Sequence, residues 1–138
     1  MKKITLLCIA SAFTSITIAQ DVKESAVPEI VKSSFKKKYP TVKTVKWEKE
    51  DSNYEAGFTV NKVESSVLLD SKGNIKETEN EIPISQLPKG VVEYIKKNHP
   101  TAKITEAAKI TDSKGEVTYE AEIKGKDLFF DANGKFLK

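Results

Sequence analysis

His99, the only histidine in the chain, is the residue on which acid–base chemistry would have to turn. A general base there would need a nucleophile and an orienting carboxylate beside it. A zinc site would need three or four His, Cys or carboxylate ligands, and the sole cysteine, Cys8, lies in a segment that reads as a removable leader. Two Asp-x-x-Gly segments, Asp70-Ser71-Lys72-Gly73 and Asp131-Ala132-Asn133-Gly134, invite a calcium reading. A calcium loop places oxygen ligands at alternate positions and closes on a glutamate. Here a lysine interrupts the first segment and an alanine the second, so both read as turns. The twenty Asp and Glu residues permit many pairs, yet none is marked by apolar neighbours in sequence. Glu48, Glu50 and Asp51 stand among lysines and read as solvated. No glycine-rich phosphate loop and no Gly-x-Ser-x-Gly elbow occurs. The expectation is a protein with no catalytic, cofactor or metal site, and not an enzyme.

Charge narrows the partners. All 23 basic residues are lysine, against 20 acidic ones. Removal of Lys2 and Lys3 with the leader would leave a nearly neutral chain, which argues against a nucleic-acid binder. The absence of arginine removes the side chain best suited to bidentate phosphate or base-edge contacts. The leader itself has a Lys2-Lys3 start, an apolar run from Ile4 to Ile18, and the small-residue ending Thr17-Ile18-Ala19 before Gln20. That run is short for a bilayer span and diluted by Ser and Thr. The expectation is a signal peptide over 1–19, cleavage near Ala19-Gln20, and a mature form in the periplasm or outside the cell. No transmembrane segment is expected.

The elements that position any site come in duplicate. Ser25–Lys43 aligns with Ser85–Lys103 at an offset of 60, with eight of nineteen positions identical, among them Pro28/Pro88 and Pro40/Pro100. Tyr54-Glu55-Ala56 then matches Tyr119-Glu120-Ala121, and the two Asp-x-x-Gly turns match each other. In this repeat His99 takes the place of Tyr39 before a proline, which favours a helix-end or surface role over a catalytic one. One domain over 21–138 follows, built of repeats 25–80 and 85–138.

Each repeat opens with a helix, expected over Val27–Lys38 and Pro88–Asn98, with apolar residues at helical spacing. Pro28 and Pro88 suit the first turn, Pro40 and Pro100 the end, and the lysines of the last turn suit the helix dipole. Strands follow. Tyr54, Ala56, Phe58 and Val60 alternate with Glu55, Gly57, Thr59 and Asn61, and Val117, Tyr119, Ala121 and Ile123 alternate with Thr118, Glu120, Glu122 and Lys124. This is the period of a sheet with one buried face. Lys43–Glu48 and Ile104–Ile110 should give the first strand of each repeat, and Glu79–Gln86 the linker. The fold expected is α+β: two tandem repeats, each a helix followed by an antiparallel three- to four-stranded sheet, the two sheets joined or packed side by side with the helices on one face.

Phe35-Lys36-Lys37-Lys38-Tyr39-Pro40, Val45-Lys46-Trp47-Glu48, Tyr54-Glu55-Ala56-Gly57-Phe58 and the Asp70–Gly73 turn, with their weaker second copy, resemble the PepSY-like, β-lactamase-inhibitor-like proteins of the bacterial envelope. The second copy departs in having Ala107 and Ala108 where a match to Trp47 would stand. The resemblance implies a fold shared with inhibitors that grip an enzyme through a concave sheet face, with peptidase propeptide domains and with envelope-assembly factors. It implies a non-enzymatic protein that binds, inhibits or chaperones an exported protein or peptide. The rival is a structural or sensory envelope component that binds cell-wall material or a small ligand.

The residues themselves suggest where a partner would sit. If Tyr54 and Tyr119 face the helices, Glu55, Glu120 and Glu122 face away. Leu68 and Phe129 alternate with Leu69 and Phe130, so one of each pair must also face away. Leu68 and Phe129 are therefore expected as exposed apolar anchors, rimmed by Glu55, Glu120 and Glu122. Trp47 could join them or belong to the core.

Overall fold

The structure, a computed structural model, describes residues 20–138. The expected signal peptide therefore lies outside the described residues. Among the described residues no helix is long and apolar enough to cross a membrane.

Eight strands form one antiparallel sheet whose spatial order is the chain order: β1 (Gln20–Val22), β2 (Lys46–Glu50), β3 (Asn53–Val60), β4 (Val63–Asp70), β5 (Ile75–Glu81), β6 (Ile104–Asp112), β7 (Val117–Ile123) and β8 (Lys126–Asp131). The helix α1 (Glu29–Lys38) lies between β1 and β2, and α2 (Lys89–Asn98) between β5 and β6. The α+β fold and tandem organisation agree with the sequence reading, and of the two arrangements open to the sheets, joined or packed side by side, they are joined into one. The segment read as a linker is the reason. Residues 79–81 belong to β5, which pairs directly with β6 through Glu79↔Ile110 and Glu81↔Ala108. A strand written Ile75-Lys76-Glu77-Thr78-Glu79-Asn80-Glu81 is polar on both faces and gives no alternation to read.

Each helix is entered the same way. A short 3-10 turn precedes Pro28 or Pro88, which stands just outside the helix as its cap, one to two residues later than the periodicity suggested. The proline carbonyls accept the Val31 and Val91 N–H groups at 3.0 and 2.9 Å. Val31 and Phe35 of α1, and Val91 and Ile95 of α2, lie four apart and point into the sheet. Ile30, which shares the apolar spacing, is instead exposed.

Both helices cover the same face. Val67 pairs with Thr78, Thr78 with Thr111, and Thr111 with Val117, which shares its side with Tyr119 and Ala121. Under α1 lie Trp47, Ala56, Phe58, Val67 and Leu69, and under α2 lie Ala107, Ala121, Ile123 and Phe130. Each fully buried Val, Leu or Phe contributes about 1.5–3 kcal/mol. The Asp-x-x-Gly turns complete each unit. Asp70 Oδ1 accepts the Lys72 and Asn74 N–H groups, and Asp131 Oδ1 those of Asn133 and Lys135. Gly73 and Gly134 take φ of 83° and 81° and press against their helices, so close that a Cβ would meet the Ile30 carbonyl or the Val91 nitrogen.

Candidate functional site

The register places Glu55, Leu68, Glu79, Ile110, Glu120, Glu122 and Phe129 on the face opposite the helices. Their orientation matches the alternation in the sequence, but their exposure does not. Leu68 is 4% exposed and Phe129 2%, so neither is an exposed anchor. No helix covers this face. Burial there comes from neighbouring strands: Leu68 stands between Glu55 and Glu77, and Phe129 opposite Glu120. At Phe129 the chain also folds back: its carbonyl accepts the Leu137 N–H, and the Lys138 ammonium stands 5.1 Å from the ring centroid. Trp47 takes the second of the two places open to it. It pairs with Ala56 on the helix side, 4% exposed, with Phe35 edge-on at 5.6 Å. It is core.

The carboxylates behave differently from the solvated rim that was expected. Glu55, Glu79 and Glu120 are buried, as is Glu50, and Glu122 is half-buried, with its carboxylate accepting the Thr105 hydroxyl at 2.7 Å. Burial pushes the Glu55 carboxyl up to about 8; the Ser66 hydroxyl pulls the other way, and Glu50 and Glu48 push further up. Burial likewise takes Glu120 up to about 8, helped by the charge of Asp127 and by a hydrogen bond with its carboxyl. Glu79 rises well above the usual range through burial, then through Glu120 and Glu55. Glu77 and Asp127 are raised as well, again first by burial. The sequence could not show this, because the groups that desolvate Glu120 come from neighbouring strands: Ala108 on β6 and Phe129 on β8 sit directly opposite it.

Two concavities occupy this face. A broad open groove of about 990 Å³ lies over β2, β3 and β4, with Glu48, Glu55, Thr59 and Ser66 around Gly57, whose missing side chain deepens it. A smaller cavity of about 130 Å³ lies over β5 to β8. Seven of the ten residues lining it are carboxylates and none is basic. What this arrangement offers is hydrogen-bond acceptors and, once the raised carboxyls give up their protons, negative charge. Among the described residues no three His, Cys, Asp or Glu side chains are grouped to hold a metal ion. His99 lies away from both concavities, at the end of α2, with its N–H on the Ile95 carbonyl and its ring 6.4 Å from that of Tyr94.

A third turn escaped the sequence reading. Asp112-Ser113-Lys114-Gly115 repeats the letters of Asp70-Ser71-Lys72-Gly73 and makes the same bonds, with Asp112 Oδ1 accepting the Lys114 and Glu116 N–H groups. The identity of the two tetrapeptides was the available signal.

A family model described as "Putative beta-lactamase-inhibitor-like, PepSY-like" matches the chain over residues 15–77 and again over 52–138. Among solved structures the chain is similar in fold to one from Bacteroides eggerthii described as "putative periplasmic proteins", at 16% identity and a TM-score of 0.72, over 81% of this chain and 86% of that one. It is similar to a DUF2874 family protein from Bacteroides uniformis at 18% identity and a TM-score of 0.71, over 80% and 86%. It is also similar to a BLIP-like protein from Bacteroides fragilis at 24% identity and a TM-score of 0.58, over 80% and 84%. No curated protein matches.

Proposed function

Because the chain belongs to the PepSY-like, beta-lactamase-inhibitor-like family, we propose that it is a non-enzymatic, exported binding protein that engages another exported protein or peptide across the face of its sheet that the helices leave uncovered. The finer reading is inhibition or chaperoning of a peptidase or another envelope enzyme. One observation carries it: a face without a covering layer holds buried carboxyl oxygens, in Glu79 and Glu120, that no protein donor satisfies. Buried polar groups are normally paired, so a face built this way is complete only with something upon it. The face is also acidic, while the last turns of both helices are lysine-rich, which orients approach. Export is supported by the leader and by the description of the Bacteroides eggerthii structure.

The test is affinity capture from the envelope fraction with the wild type and two variants. Thr59→Arg with Thr118→Arg crowds the open face in both halves; Lys37→Glu with Lys97→Glu alters only the helix side. Capture of one and the same protein should vanish in the first variant and persist in the second. Capture indifferent to the first variant places the binding surface elsewhere. The groove beside Gly57 favours a second reading, a sensory or structural component that holds cell-wall glycan or a small ligand. Protection of Gly57 amide exchange by soluble glycan fragments would support that reading against the first.

A further inference from the structure

The cavity over β5 to β8 has a ligand chemistry of its own. Glu79 Oε2 and Glu120 Oε2 line it without a protein donor, on residues that are 4% and 9% exposed. A buried carboxyl oxygen left unpaired is costly, and no lysine lies in the lining to supply a counter-charge. What is missing is a cation that also donates hydrogen bonds.

The geometry selects among cations. A calcium ion gathers six to eight oxygens at about 2.3–2.6 Å, and among the described residues no three carboxylates are grouped to hold a metal ion. A guanidinium recognises one carboxylate edge-on as a planar fork, whereas these acceptors come from different strands, Glu79 on β5, Glu120 on β7 and Asp127 on β8. An ammonium on a flexible stem has three donors that can point three ways. The volume, about 130 Å³, accommodates the end of one side chain and not a peptide. We infer that this cavity receives a primary ammonium group, carried on a lysine side chain that the bound partner inserts from the open face, with Glu79, Glu120 and Asp127 as its acceptors. The inference rests on the open face being the binding face.

The probe is a fluorescent pentalysine with a blocked amino terminus, followed by anisotropy, beside the same peptide acetylated on every side-chain nitrogen. Glu79→Gln with Glu120→Gln keeps the shape of the cavity and removes its carboxylates. Glu48→Gln with Glu77→Gln takes the same formal charge from the same face outside the cavity. The cavity variant should bind pentalysine roughly tenfold or more weakly than wild type, the control within about twofold, and the acetylated peptide should bind neither. Equal losses in the two variants would mean diffuse attraction to an acidic surface and overturn the inference, as would binding of the acetylated peptide. Displacement of pentalysine by one calcium ion per chain would make the cavity a metal site and overturn it too. If the cavity variant does not fold, Glu120→Gln alone against Glu77→Gln alone makes the same comparison. A captured partner lost by Thr59→Arg with Thr118→Arg but kept by the cavity variant leaves the binding face standing and removes only the lysine.

Discussion

Glu55 and Glu120 stand at the same place in the two repeats, each following a tyrosine that packs toward a helix and each buried on the opposite, uncovered face of the sheet. Duplication has thus carried a protonatable group as well as a fold. Both carboxyls are driven to about 8 by burial, so in the isolated protein both are largely neutral at pH 7. Glu79, on the strand that joins the repeats, is raised in the same direction.

Stability should therefore fall as pH rises. An unfolded chain releases these protons near the ordinary carboxyl range of about 4.3, whereas the folded chain holds those of Glu55 and Glu120 up to about 8. Between these limits the folded state binds more protons, so its stability declines with pH. The contribution is fully present below the unfolded value and is lost above the folded one. For Glu55 alone it is on the order of 4 kcal/mol. Thermal unfolding from pH 4.5 to 9 should show a falling midpoint, and Glu55→Gln with Glu120→Gln should flatten it. A midpoint that rises toward pH 9 would contradict the burial of these carboxyls.

Trp47, the only tryptophan, offers a direct optical check on the helix side. It is buried against Phe35 and Ala56, so native emission should be blue-shifted and resist iodide quenching. Trp47→Ala should cost about 3–5 kcal/mol. Emission like that of free indole in water, or a loss under 1 kcal/mol, would place the ring outside the core.

The parts of the fold legible in sequence were those with local signals. The prolines bracketed both helices, and the alternation around Tyr54 and Tyr119 assigned two faces correctly. Position on a face did not reveal depth. Leu68 and Phe129 point away from the helices as the alternation implies, yet are buried, because depth on an uncovered face is set by cross-strand neighbours distant in sequence, Glu77 beside Leu68 and Glu120 beside Phe129, and by Lys138 over the Phe129 ring. Glu79 was hidden for another reason. Its strand has no apolar alternation of its own and is held by its neighbours β4 and β6.

Leu68 and Phe129 should accordingly behave as core in mutagenesis. Leu68→Ala should cost about 2–5 kcal/mol and Phe129→Ala about 3–5 kcal/mol in urea unfolding. Aspartate at either place adds an unpaired buried charge beside Glu77 or Glu120, their cross-strand partners, and should abolish the cooperative transition. Aspartate variants with wild-type midpoints would return both residues to the surface.

Gly134 and Gly115 end turns of the same kind with nearly the same φ, 81° and 85°, but only one of them is crowded. A Cβ at Gly115 would meet nothing within 4 Å, whereas at Gly134 it would lie 3.0 Å from the Val91 nitrogen and 3.1 Å from the Gly90 Cα. Alanine at Gly115 thus carries only the left-handed backbone cost, about 1–2 kcal/mol. At Gly134 it must also push backbone away from the start of α2, which adds about 1–3 kcal/mol. Gly90→Ala probes the same contact from the helix. Alanine is favoured over glycine inside a helix by about 1 kcal/mol, yet its Cβ would stand 2.9 Å from the Gly134 carbonyl oxygen, so the substitution should destabilise. Urea midpoints followed by Trp47 fluorescence should rank Gly134→Ala below Gly115→Ala, with Gly90→Ala below wild type. Equal midpoints for the two turn variants, or a stabilised Gly90→Ala, would show that the turn does not press on α2.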